Sequence, residues 1–225
     1  MNDQIRLSDI SKVYHVPGGE NICALSDINL LVRGGEKIAI TGNSGSGKTT
    51  LMNIIGCVFR PTNGRYYYMG RNILTDSNRK HAIFRNSIIG FVFQDYQLLP
   101  DYSVYENVEL PLIIGKKSYK KNDINAVLER LNILELAKRN ARSLSGGQAQ
   151  KVAIARAIVN NPDVILADEP TGALNSADSD EIVRLLFDEI GKEKTVIVST
   201  HNDSIAKRAE RKIVLRDGAI IEDYR

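Results

Sequence analysis

Gly42-Asn43-Ser44-Gly45-Ser46-Gly47-Lys48-Thr49 decides the fold, because of what stands on either side of it. Before it runs Lys37-Ile38-Ala39-Ile40-Thr41, apolar between polar ends, which is how a strand buried on both faces reads. After it, Thr50 to Cys57 reads as a helix. The stretch matches G-x-x-x-x-G-K-[ST] in the strand–loop–helix context that the pattern requires. Gly45 and Gly47 let the backbone turn so that successive amide hydrogens face one anion, and the helix start adds partial positive charge. Lys48 is expected to reach the β- and γ-phosphates of a nucleotide, Thr49 to hold Mg²⁺, and Thr50 to add a hydroxyl nearby. The loop alone leaves an ATPase, a GTPase and a small-molecule kinase all open.

Working outward, Asp163 to Ala167 and Thr195 to Ser199 are further buried strands, and helical patterns lie between the apolar runs. That alternation implies a largely parallel sheet with crossover helices. Ile5 to Tyr14 and Ala24 to Val32 instead alternate like antiparallel strands with one wet face. Thr62-Asn63-Gly64 is a turn signal ahead of Arg65 to Met69, and Asp217-Gly218 a hairpin signal between two apolar runs. From Leu98 to Arg142 the period becomes helical: Ile124, Val127, Leu128 and Leu131 share a face, with Asn122 or Asp123 as the cap. The expected fold class is therefore α/β, a parallel-sheet core with an N-terminal antiparallel β subdomain and an inserted helical subdomain. It is read as one domain over 1-225, with 1-97 and 143-225 forming the core and 98-142 the insert.

Composition excludes little but bounds the rest. The 225 residues carry 30 Lys and Arg against 27 Asp and Glu, and a net charge of +3 demands no nucleic acid. Lys116, Lys117, Lys120 and Lys121 read as a solvated loop, an anionic membrane surface being the lesser alternative. Cys23 and Cys57 lack metal-type spacing and read as buried free thiols in a reducing cytosol. The stretch Met1 to Arg6 has no signal-peptide pattern, and no apolar run reaches the ~20 residues of a spanning helix. The chain reads as cytosolic, so that work at a membrane requires another polypeptide to do the spanning.

Asp168 and Glu169 close a core strand, where Mg²⁺ needs an acid and an attacking water needs a base. His201 ends another strand on the same sheet edge, whereas His15 and His81 read as surface residues. Leu144-Ser145-Gly146-Gly147-Gln148 precedes an apolar helix and forms a second anion-binding helix start. One nucleotide needs one cradle, so this second one is read as serving the nucleotide of a partner chain.

With these motifs in order, the sequence resembles the ATP-binding-cassette (ABC) ATPases over nearly its whole length, with their P-loop NTPase fold and RecA-like core. Leu144 to Gln148 stands as that family's defining motif, which implies that Ser145, Gly146, Gly147 and Gln148 bind ATP in trans. Gln94, in Phe91-Val92-Phe93-Gln94-Asp95, matches the lid glutamine that contacts Mg²⁺ and the attacking water. Asp168 and Glu169 match the magnesium aspartate and catalytic glutamate, His201 the switch histidine on the γ-phosphate, and Tyr14 the ring that stacks on adenine.

Met52 to Cys57, Gly90 to Gln94, Tyr105 to Pro111 and Ala167 to Leu174 look like the macrolide-exporter, lipoprotein-release and bacitracin-type subgroup. The resemblance implies an ATPase that powers a transmembrane permease as a homodimer, at the cytoplasmic face of the membrane. Export of a peptide, drug or lipoprotein-like substrate, or mechanical work across the envelope, would be its output. A nucleotide-gated regulatory subunit of a sensing or cell-division complex is the alternative. A soluble relative in DNA repair or translation would show fused cassettes, a coiled-coil insert or zinc-type cysteines, and a GTPase would show Asn-Lys-x-Asp. Three departures stand out. Asn175 replaces the usual aspartate at the dimer seam, which is expected to weaken coupling, and Ala149 and Lys151 replace glutamine and arginine, which puts a local salt bridge in question.

Overall fold

The computed structural model describes residues 3–225, so that Met1 and Asn2 of the N-terminal stretch lie outside the described residues. The chain divides into two compact units, Met1–Ala82 with Thr195–Arg225, and Ile83–Lys194.

In the first unit, β1 (Asp3–Tyr14) and β2 (Ile22–Arg33) pair antiparallel, as their alternation predicts, with Ile5, Leu7, Ile10, Leu25 and Ile28 buried. Next comes β3 (Lys37–Thr41), followed by α1 (Lys48–Ile55), β4 (Asn63–Tyr68) and β5 (Arg71–Asn72). The first sheet runs β2-β1-β4-β5. Asn63 and Gly64 do not form the expected turn; they begin β4. Gly64 has φ +104 and stands where a Cβ would come within 2.6 Å of the Asp9 carbonyl, opposite an irregularity in β1 between Ser8 and Ser11. The glycine marks a close strand approach there, not a reversal.

α2 (Asn78–Ile88) leads to the second unit, where β6 (Ile89–Val92) precedes α3 (Val104–Ile114), α4 (Lys121–Arg130) and α5 (Gly146–Ile158). Then follow β7 (Val164–Asp168) and α6 (Ser176–Arg184) with a π-helical extension over Leu185–Ile190. β6 and β7 pair in parallel, Val92 opposite Ala167. Of the four residues expected to share a face, Ile124, Leu128 and Leu131 are buried, worth roughly 1.5–3 kcal/mol each, and Val127 is half-buried. The α4 cap differs from expectation: the helix starts after Lys120, and Asp123 reaches back from its first turn to accept the Lys120 N–H at 2.8 Å.

Back in the first unit, β8 (Thr195–Ser199), α7 (Asp203–Ala206), β9 (Arg211–Arg216) and β10 (Ala219–Tyr224) complete the chain. β3 pairs in parallel with both β8 and β9, and β9 and β10 form the expected hairpin. Two residues sit otherwise than composition suggested. His81 is buried, its Nε2 2.8 Å from the Ile73 carbonyl, and Cys23 is exposed while Cys57 is buried. Neither ring nor thiol carries a sequence signal for the neighbours that decide its burial.

Candidate functional site

Within the first unit, the phosphate loop leaves the end of β3 and enters α1 through Gly47, which offers no side chain to cap the helix. The N–H groups of the first turn therefore stay available to an anion. Gly42 (φ +148) and Gly47 (φ +104) are sterically required. A Cβ at Gly42 would strike the Leu215 carbonyl, and one at Gly47 would lie 2.6 Å from the Ala24 carbonyl. The loop is braced from the hairpin: the Gly218 N–H donates to the Ser46 carbonyl at 3.1 Å, and the Gly218 carbonyl accepts from Ser26 at 2.9 Å.

Lys48 is 8% exposed, and its Nζ donates to the carbonyls of Gly42 (2.8 Å) and Asn43 (3.1 Å). Among the described residues no carboxylate pairs with it. A buried ammonium satisfied only by carbonyl dipoles is a strong anion attractor. The Ser46 Oγ is likewise buried and has no hydrogen-bond partner. Asn43, Ser44, Gly45 and Thr49 are exposed and Thr50 is half-buried. An orphaned hydroxyl, a buried cation and an uncapped helix start fit a phosphate chain.

His201 follows β8 on the same edge. Ile40 of β3 faces Ser199, and the Thr200 N–H donates to the Ile40 carbonyl at 3.0 Å, so the parallel ladder delivers phosphate loop and histidine to one end of the strands. Asp203, given no role from sequence, is the exposed first residue of α7. Tyr14 ends β1 with Ile22 opposite. Its ring takes the edge of Phe59 at 6.4 Å between centroids, and the Lys12 ammonium stands 5.1 Å over it. Lys12 is tethered in turn to the Arg60 carbonyl at 2.8 Å.

The second unit carries the remaining candidates. Asp168, buried, ends β7, and Glu169 follows with φ +46, a left-handed conformation for a non-glycine residue. Its carbonyl accepts the Gly172 N–H at 3.1 Å, closing the turn through Pro170. Gln94, two residues past β6, is exposed and lies over this turn, its Nε2 3.5 Å from where a Gly172 Cβ would stand.

Ser145 caps α5: its Oγ accepts the Gln148 N–H at 3.4 Å, and Gln148 Oε1 accepts the Ser145 N–H at 3.1 Å. The Ser145 hydroxyl keeps its own proton to donate, and Gln148 holds it in place. Lys151 does form an ion pair, with Glu181 at 2.8 Å. Asn175 caps α6. Two contacts went unread in the sequence: Arg156 holding the Tyr96 and Gln97 carbonyls, and Asp178 beside Gly147. An arginine in the apolar C-terminal half of α5, and an acid three residues after Asn175, were the available signals.

The family model for ABC transporters matches residues 25–172. The chain is 47% identical to the ABC transporter ATP-binding protein YvrO of Bacillus subtilis (strain 168), covering 98% of this chain and 97% of that one. It is 46% identical to the macrolide export ATP-binding/permease protein MacB of Rhodopseudomonas palustris (strain BisB18), covering 92% of this chain but 32% of that one. It thus spans about a third of the MacB length. Among solved structures, the dimeric bacterial ABC transporter cassette MJ0796 superposes with a TM-score of 0.91 at 39% identity, over 98% of both chains. A post-hydrolysis form of MJ0796 bound to ADP and Pi superposes with a TM-score of 0.89. On this agreement of sequence and fold the chain belongs to the ABC transporter family, as an ATP-hydrolysing cassette with that fold's antiparallel sheet, α/β core and helical insert.

Proposed function

We propose that two copies of this chain close around two ATP molecules and that the closure drives a transmembrane permease of the MacB export type. Each ATP would lie between Gly42 to Thr50 of one copy and Ser145, Gly146 and Gly147 of the other. The buried Lys48, held by two carbonyls and with no carboxylate partner among the described residues, carries this reading, since a triphosphate supplies the missing charge. MJ0796 is a dimeric cassette, and MacB is a macrolide export ATP-binding/permease protein. No helix among the described residues is long and apolar enough to cross a membrane, which fits a chain acting through a permease at the cytoplasmic face. Residues 98-142 would be the helical subdomain of one cassette domain, 1-225.

Thr49, Gln94 and Asp168 offer a hydroxyl, an amide oxygen and a carboxylate, a hard-oxygen set of the kind Mg²⁺ takes. When bound, the ion would neutralise charge on the β- and γ-phosphate oxygens. Glu169 accepts the proton of the attacking water, and Gln94 orients that water. Lys48 and His201 hold the γ-phosphate as charge builds on it, and the partner's Ser145 hydroxyl and glycine amides complete the oxyanion contacts. Tyr14 stacks on the adenine.

The test compares Glu169→Gln with Glu169→Gln/Ser145→Arg by size exclusion in ATP. The single variant should elute as an ATP-bound dimer, while the double variant binds ATP but stays monomeric. A double variant that still dimerises, or a single variant that never does, would overturn the assignment.

A further inference from the structure

Beside the glycine-rich segment stands a carboxylate with a dedicated holder. The Asn175 Oδ1 accepts the Asp178 N–H at 2.9 Å, and the Asn175 Nδ2 donates to Asp178 Oδ2 at 2.9 Å. The Asn175 carbonyl is occupied by the Ser179 hydroxyl at 2.7 Å. Only an amide can close this ring of bonds. An aspartate at 175 would set two carboxylates face to face at the same spacing, so the departure from the family residue and the acid at 178 belong together.

From this position the carboxylate reaches α5. A Cβ on Gly147 would lie 2.8 Å from both Cγ and Oδ2 of Asp178, so the acid rests against the bare Cα of Gly147. Tyr96 borders the same place, its hydroxyl 3.1 Å from where a Gly146 Cβ would stand. Burial, and after it the charge of Asp178, push the Tyr96 phenol up from its ordinary value.

A negative charge beside a helix N-terminus is favourable, because the first-turn N–H groups emerge there. In the free chain Asp178 thus acts as the resident anion of the α5 start. On the proposed function, on which this inference rests, the same helix start must receive the triphosphate of a second copy. Like charges within a Debye length of about 10 Å at 0.1 M salt repel one another. The incoming phosphates also find the helix's partial charge already in use.

We propose that Asp178, held by Asn175, is an electrostatic latch that sets the ATP concentration at which two copies close. It is a positioning residue, acting on ATP through Gly146 and Gly147.

The experiment places Asp178→Asn and Asn175→Asp separately in the Glu169→Gln chain and follows ATP-dependent dimerisation by sedimentation at 50 mM and 500 mM NaCl. Asp178→Asn keeps the side-chain volume and the bond to Asn175 and removes the charge. It should lower the ATP midpoint roughly five-fold at 50 mM salt, with the gain shrinking below about two-fold at 500 mM. Asn175→Asp should raise the midpoint. An unchanged or raised midpoint in Asp178→Asn, or a gain indifferent to salt, would overturn the latch. Failure of the Glu169→Gln parent to dimerise would instead overturn the reading beneath it.

Discussion

Arg156 donates from one guanidinium nitrogen to the carbonyl of Tyr96 at 2.7 Å and from the other to that of Gln97 at 2.5 Å. Both acceptor residues have positive φ, 60° and 47°, so one side chain holds two strained peptides just after Gln94. Burial lowers the pKa of this guanidinium, yet leaves it a cation. Arg156→Met should cost about 2–4 kcal/mol in urea unfolding and lower ATP turnover, because the segment after Gln94 is released. Arg156→Lys should recover part of the stability, since a point ammonium replaces one fork bond but not both.

Lys48→Met should separate stability from binding. The free chain should unfold at the same or a higher temperature, because a buried cation without a counter-charge is removed. Thermal stabilisation by ATP should vanish. A variant still stabilised by ATP would contradict the role given to this lysine.

Tyr14→Ala should raise KM for ATP with little change in kcat, since stacking on a base is lost and no phosphate contact changes. Lys12→Met should move KM in the same direction by less than about five-fold, the range of an exposed cation–π contact. Steady-state kinetics at saturating and limiting ATP separate the two effects.

Tyr66 is fully buried and donates to the Ile55 carbonyl, the last residue of α1, at 2.8 Å. Tyr66→Phe should destabilise the chain by about 1–2 kcal/mol in chemical denaturation, because it leaves that carbonyl without its buried donor.

Much of the architecture is written in local pattern. The runs Lys37 to Thr41 and Thr195 to Ser199 become strands of those bounds, and Asp217-Gly218 becomes the tip of the β9–β10 hairpin. In each case neighbouring residues supply both the pattern and its cause. The strands that lead into the segments of Lys48, Gln94 and His201, and the one that ends at Asp168, are legible for that reason. Gly64, His81 and Asp178 were not, since each is decided by a contact that its neighbouring residues do not signal. Gly64 answers to the Asp9 backbone, His81 to the Ile73 carbonyl, and Asp178 to the bare Cα of Gly147. The Asn175 substitution reads as a lost charge in sequence and as a made hydrogen bond in space.

The brace on the phosphate loop has a consequence for how the protein is made. Ser46 leaves the ribosome well before Gly218, the peptide that steadies it. The loop is thus translated long before its support exists, and the nucleotide site cannot take its final form until the β9–β10 hairpin has been added. A nascent chain stalled before residue 218 would display the motif without the firm cradle, and nucleotide capture would report that translation has passed the hairpin.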